Sequence, residues 1–217
     1  MNLLMARSYR WLGGIGYILL LIPFISIVGL ILAGIAWIMA GRDKKQGIFK
    51  ATGILSITVT ILTIILMASW LPMIGSLLTS MFSGRYPPIP SPRLFQESLW
   101  TIRLLLTVAV ILTVVGIAGG VLELISHFRA AKIYDVKWFR RAGWMRIITI
   151  IALVVVIGSV IPSIAFFPTI LLQPSGILNL IGFYTLGLAI SMILTIVSLI
   201  FSAISFFTIP EVASETG

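Results

Sequence analysis

The sequence has no cysteine, one histidine and six carboxylates among its 217 residues. Without cysteine there can be no disulfide framework and no thiolate metal site. The single histidine, His127, cannot form a His-x-x-x-His pair or supply two axial ligands to a haem, and no HExxH run occurs. Gly41–Lys45 is rich in Gly and Lys, but its spacing is not that of a P-loop, and no GxSxG nucleophile elbow is present. Charged residues make up 10% of the chain, against about 25% in a soluble domain. The only side-chain amides are Asn2, Asn179, Gln46, Gln96 and Gln173. So few polar groups cannot cover a water-exposed surface, which excludes a soluble globular protein. They also assign no catalytic, cofactor or metal residue, so the chain is expected to be non-enzymatic and cofactor-free.

What is abundant is apolar sequence: 59% of residues are hydrophobic and the mean hydropathy is +1.17. These residues fall in blocks near the ~20 residues a helix needs to cross the hydrocarbon core. The fold class is therefore all-α, a multipass transmembrane helical bundle forming a single membrane domain over 1–217. Six segments can be drawn: Trp11–Ile22, Phe24–Gly41, Gly53–Leu71, Leu99–Ile125, Gly143–Ile161 and Ile177–Phe207. Residues 11–41 admit two readings, a hairpin turning near Pro23 or one kinked helix. About 30 residues at 1.5 Å each is roughly 45 Å, long for a single crossing, which favours the hairpin. No small-residue cleavage site separates the first apolar run from the rest, so no cleavable signal peptide is expected.

Lys and Arg exceed Asp and Glu by nine charges. The excess is read as topology and not as a nucleic-acid footprint, because it sits in short turns with no binding motif. Arg42, Lys44, Lys45 and Lys50 follow the second segment. Arg129, Lys132, Lys137, Arg140, Arg141 and Arg146 surround the junction of the fourth and fifth. Two crossings separate these turns, so both can be cytoplasmic, with the two termini on that side and a Pro-rich loop at 84–93 outside. Of these residues, Arg42, Lys44, Lys45, Lys50, Lys137, Arg140 and Arg141 are expected to contact lipid headgroups. Trp37, Trp138 and Trp144 then mark the inner interface, and Trp70 and Trp100 the outer one. Ser91-Pro92 reads as an N-cap followed by Pro at the first helical position.

Sliding the chain by ninety residues aligns Phe49-Lys50-Ala51-Thr52-Gly53 with Phe139-Arg140-Arg141-Ala142-Gly143. Ile57 falls on Ile147, Ile61 on Ile151, and Ser69-Trp70-Leu71-Pro72 on Ser159-Val160-Ile161-Pro162. Both basic turns face one side, so this internal repeat is parallel, unlike the inverted repeats of many secondary transporters. Pro72 and Pro162 are expected to stop or kink their spans.

The sixth segment carries Gly187, Ser191, Thr195, Ser198, Ser202 and Ser205 on one helical face. Small residues mark helix–helix interfaces in lipid, so this face packs within the bundle or docks a partner chain or a second copy. Gly29, Ala33, Ala36 and Ala40, the pair Gly116 and Gly120, and Ser56, Thr60 and Thr63 form shorter seams. Glu123 and His127 are four apart and share a face. They read as a polar ligand or proton-sensing pair, or more plainly as an interfacial ion pair with Arg129 or another basic residue. Arg103 reads as an anchor snorkelling to the headgroups.

Gly13-Gly14-Ile15-Gly16, then Ile18–Leu21, Pro23 and Gly29, resemble the opening of an integral-membrane family catalogued as domain of unknown function 996 and found mainly in archaea. Gly47-Ile48-Phe49-Lys50 resembles its loop. Phe139–Gly143 and the closing Ala203–Pro210 resemble its C-terminal part, with Ile161–Gly176 standing as an insertion. The resemblance implies a membrane protein and carries over no activity and no site residue. The functional expectation is a non-catalytic accessory or scaffold subunit packing in a larger membrane complex through other subunits or self-association. A small transporter or channel is the alternative, and it requires a polar cavity reaching mid-membrane.

Overall fold

The structure, a computed structural model, describes residues 2–82, 92–158 and 174–210. Lipid offers no hydrogen bonds to a bare backbone, so each apolar block satisfies its amides internally as a helix. The helices are α1 (Asn2–Leu19), α2 (Ser26–Asp43), α3 (Gly47–Phe82), α4 (Pro92–Ile133), α5 (Lys137–Gly158) and α6 (Pro174–Phe207). Among the described residues there is no strand. Four stretches, Ser26–Asp43, Gly47–Ser69, Val110–Ile133 and Gly182–Phe207, are long and apolar enough to cross a bilayer. The chain is a membrane-embedded helical bundle. Large apolar side chains such as Ile61, Val114, Val154 and Met192 point outward, where lipid covers them.

Two helices outrun the apolar blocks. The third span was expected to end before Pro72, but α3 continues through it to Phe82. A mid-helix proline costs one hydrogen bond and a steric clash. Abandoning the helix in an apolar setting would leave more backbone groups bare. Helix α4 starts at Pro92, where Ser91-Pro92 placed a first turn, and runs past Ile125 to Ile133. Its added turns carry Gln96, Glu97, Arg129 and Lys132, which are good helix formers that hydropathy alone does not count. Residues 84–91 of the Pro-rich loop expected outside, and the stretch 159–173 with Pro162, lie outside the described residues.

Residues 11–41 turn back on themselves at Leu20–Ile25. There Leu21 and Ile22 donate to Ile18 and Leu19 carbonyls, and the Ser26 hydroxyl donates to the Pro23 carbonyl at 2.7 Å. The antiparallel arms approach backbone to backbone. A Cβ on Gly16 would lie 2.6 Å from the Ala33 amide nitrogen, and one on Gly29 would lie 2.7 Å from the Gly16 carbonyl oxygen. These two positions therefore require glycine.

The six helices close a ring. Each of α1 to α5 packs on the next, and α6 packs back on α1. One end of the ring is filled by aromatic side chains. The Trp37 ring lies 5.1 Å from those of Phe49 and Phe206, 5.3 Å from His127 and 6.0 Å from Phe139, and all five residues are buried. Lipid supplies no hydrophobic drive for helix association. The cluster therefore contributes through tilted and edge-on ring packing, about 0.5–1.5 kcal/mol per pair.

The ninety-residue offset recurs in the backbone. Lys45 and Asp135, ninety apart, both sit in the left-handed region at φ 52. Lys44 N–H donates to Ala40 at 3.0 Å, and Tyr134 N–H donates to Ala130 at 2.9 Å. Phe49 and Phe139, and Ala40 and Ala130, are buried in pairs. The step carries α2–α3 onto α4–α5, two places round the ring, without turning it over.

Candidate functional site

Glu123 lies within the apolar stretch Val110–Ile133, roughly 15 Å along α4 from Ile133. Its partner is Arg146 of α5, whose Nη1 pairs with Glu123 Oε2. Arg129, the nearest basic residue in sequence, is exposed instead. The other carboxylate oxygen accepts a hydrogen bond from the Tyr17 hydroxyl. That hydroxyl in turn accepts from the Trp37 indole N–H at 2.9 Å. Side chains from α1, α2, α4 and α5 thus meet in one polar chain inside the ring.

His127 joins this chain through its neighbours, with no contact to the Glu123 carboxylate. Its Nδ1 is 2.8 Å from the Glu123 carbonyl oxygen, which can only accept, so Nδ1 carries the proton. Nε2 lies 3.0 Å from Ser202 Oγ, whose one proton serves either this nitrogen or the Ser198 carbonyl 2.9 Å away. Arg146 Nη2 also reaches Ser202, at a long 3.4 Å, while Arg146 Nε is buried with no acceptor. Thr52 and Ser126 pair their hydroxyls at 2.7 Å beside this group.

Above the pair is a cavity of about 350 Å³ to which all six helices contribute. Tyr17 comes from α1 and Leu20 from the turn after it, Leu30 and Trp37 from α2, and Thr52, Ser56 and Val59 from α3. Gly116, Gly119, Gly120 and Glu123 come from α4, Arg146 from α5, and Thr195 and Leu199 from α6. A Cβ on Gly116 or Gly120 would meet nothing within 4 Å, so these glycines border open space. They are not close-packed in the seam expected of them. The wall is apolar except for the Tyr17–Glu123–Arg146 group and a few hydroxyls. Among the described residues no three His, Cys, Asp or Glu side chains gather as a metal site would need.

The small-residue face of α6 is turned inward. Ser191, Ser198, Ser202 and Ser205 are buried. The Ser198 hydroxyl reaches the Ala142 carbonyl of α5 at 3.4 Å, Gly187 lies against Val156, and Thr195 borders the cavity. Of the basic residues, Arg42, Lys45, Lys50, Lys137, Arg140 and Arg141 are exposed. Lys44 is half-buried, 3.5 Å from Asp43 and over the Tyr134 ring. Tyr9 donates to Asp43 at 3.2 Å at this same end. Burial pushes the Tyr9 phenol up to about 12, with the Asp43 charge adding to the effect, and burial raises Tyr134 as well.

Trp37, expected near the inner interface, is buried at the centre of the aromatic cluster that fills one end of the ring. Trp144 is exposed, and Trp138 lies half-buried beneath the Arg141 guanidinium. The side chains of Trp70, Trp100 and Arg103 lie outside the described residues. Arg146 and Tyr17 were not singled out in sequence. A helical wheel separates Arg146 from Arg140 and Arg141 by about 120–140°, on the opposite face of α5, and that was the available signal.

Comparison with protein-family models finds no match, and comparisons with curated proteins and with solved structures find none either.

Proposed function

We propose that this chain is a solute-binding membrane protein of the transporter class, which takes a small molecule into the open cavity between its described helices. One observation carries the reading: a Glu–Arg pair inside the bundle forms part of the wall of a cavity of about 350 Å³. A buried ion pair is weak support for stability, since apolar residues of similar volume serve as well. Charged groups inside a membrane are functional by default. Ligand sites are typically clefts of roughly 300–1,000 Å³ with mostly apolar walls and a few convergent polar groups.

The accessory-subunit expectation rested on missing chemistry, small-residue seams and short loops. Of these seams, the one on α6 faces the chain's own α4 and α5 at Ser202 and Ser198. The positive-inside rule supports a cytoplasmic side for both basic turns, whose Arg42, Lys45, Lys50, Lys137, Arg140 and Arg141 are exposed and free to meet anionic headgroups. Membership of the domain of unknown function 996 family is proposed on the resemblance alone.

The test uses proteoliposomes loaded with a mixture of small metabolites, with efflux followed by mass spectrometry. The wild type should release at least one solute that the cavity-filling variants Gly116→Phe and Gly120→Phe retain. Release no faster than from protein-free liposomes, for every solute, would overturn the reading.

A further inference from the structure

We infer that the bundle holds one anionic phospholipid at a fixed site, with its phosphate between Arg129 and Lys132 and an acyl chain along α4. The site shares no residue with the central cavity, so the inference stands apart from the solute-binding reading.

A groove of about 480 Å³ opens at the basic end of the ring. Gln46 of the α2–α3 turn lines it on one side, and Ile125, Phe128, Arg129, Lys132 and Ile133 of α4 on the other. Arg129 and Lys132 are three apart, so they stand side by side on the helix. Both are exposed. Among the described residues no carboxylate lies within ion-pair distance of either. The fold does not require these charges. The ninety-residue step carries the same place to the α4–α5 turn and α6, where Val136 stands for Gln46 and α6 has no charged residue.

Depth and direction both fit a lipid. Phe128 packs edge-on against Trp144, their ring centroids 5.8 Å apart, and Trp144 is exposed. Exposed tryptophan settles at the level of the headgroups, so the groove lies at that depth. From the groove, Ile125, Val121, Ile117 and Val114 run along one face of α4, and all four are exposed. The row is roughly 16 Å long, about half of the ~30 Å hydrocarbon core. Two cations at the interface, followed by one leaflet's depth of open apolar surface, match the outline of a phospholipid. Charge then selects the headgroup. The guanidinium offers a phosphate a two-point fork, and the ammonium adds a point charge. A zwitterionic head brings a cation of its own, and the groove has two cations and no carboxylate to receive it. Basic pockets between membrane helices take anionic headgroups in this way.

The test is native mass spectrometry of the full chain, delipidated in detergent and then given phosphatidylglycerol and phosphatidylcholine with identical acyl chains. One phosphatidylglycerol should be retained per chain, preferred over phosphatidylcholine by roughly tenfold or more, as two cations beside one anionic headgroup allow. Arg129→Gln/Lys132→Gln should lower that preference by roughly tenfold. Both residues are exposed and glutamine is a good helix former, so this variant should fold. Lys137→Gln/Arg140→Gln removes the same charge from α5, outside the groove, and should change the preference by less than about twofold because distant exposed charges are screened. Four results would overturn the inference. Phosphatidylglycerol is not preferred, or its preference survives the loss of Arg129 and Lys132. The two double variants lose it equally, which would reduce the effect to general surface attraction. Glycerol 1-phosphate at equal concentration displaces the lipid, which would make the occupant a soluble phosphate.

Discussion

Trp37 on α2 and His127 on α4 stand ninety residues apart and meet edge to face, their ring centroids 5.3 Å apart. Equivalent positions of the two helical hairpins thus close one end of the ring together. Trp37 also holds the Tyr17 hydroxyl, which holds Glu123. Structural plug and polar site therefore share a side chain. Trp37→Phe keeps most of the ring packing but removes the indole donor, and should cost roughly 1–2 kcal/mol. Trp37→Ala opens a void and should cost about 3–5 kcal/mol. Thermal unfolding in nanodiscs measures both. Equal losses would mean that the hydrogen bond, and not the packing, dominates.

Two glycines should respond in opposite directions. A Cβ on Gly13 would fall 2.3 Å from the buried Phe206 ring, which has nowhere to retreat. Gly13→Ala should therefore destabilise by about 1–3 kcal/mol through overpacking. At Gly120 a Cβ meets nothing within 4 Å. Gly120→Ala should gain up to about 1 kcal/mol of helix propensity. Unfolding midpoints of the two variants should bracket that of the wild type. A loss at Gly120 would mean that the site is closed in the membrane.

Much of this architecture was legible in the chain, and the polar site was legible in part: Glu123 was marked for a basic partner, but Arg146 was not named as that partner. The apolar blocks, Pro23 and the two basic turns mark the helices and their order. The paired Phe49 and Phe139 mark an offset that the backbone repeats at Lys45 and Asp135. Arg146 was missed as the partner because hydropathy averages over a window. It follows Lys137, Arg140 and Arg141 so closely that it reads as part of one basic cluster, although it lies on the opposite face of α5. The charged turn after Glu123, Arg129–Lys132, is helical and extends α4, so Glu123 lies inside this helix and not at its end. Gly116 and Gly120 have the spacing of a packing seam. Only the separation of their neighbours distinguishes a seam from a cavity wall.

The Glu123–Arg146 pair makes a prediction about coupling. Losing one partner of a buried pair strands the other charge, a cost of about 3–5 kcal/mol in a fully dry site. Here the cavity leaves the side chains 25% and 17% exposed. Glu123→Ala and Arg146→Ala should therefore each cost less, roughly 2–3 kcal/mol. The double variant should lose less than the two singles together. Additive losses in a double-mutant cycle would show that the pair does not couple.

The turn residues make a further prediction. Lys45 ends α2 in the left-handed region, with Gln46 N–H donating to Gly41 at 2.9 Å and Lys45 N–H to Arg42 at 3.4 Å. This is the bonding pattern of a glycine-type helix terminator, built on a lysine. Lys45→Gly and Asp135→Gly should each stabilise by about 0.5–1 kcal/mol, with the lysine site gaining more because aspartate tolerates that conformation better. A lower unfolding midpoint for Lys45→Gly would show that the contacts of this lysine outweigh the backbone strain.

The last prediction concerns alkaline pH. Burial, with the nearby Asp43 charge, raises the folded-state pKa of Tyr9 to about 12, whereas an unfolded chain ionises its tyrosines near 10. The folded state therefore holds a proton that the unfolded state gives up. The stabilisation associated with this proton is complete below pH 10 and is lost as pH rises from 10 to 12. Tyr9→Phe removes the titrating group while keeping the ring beside Tyr134, 6.3 Å away. The wild-type unfolding midpoint should fall more steeply than that of Tyr9→Phe between pH 10 and 12, and the two curves should run parallel below pH 9. Absorbance at 295 nm should show one fewer late-ionising tyrosine in the variant. Parallel curves throughout would mean that the Tyr9 phenol reaches water, and that the contact joining α1 to the end of α2 is open in the membrane.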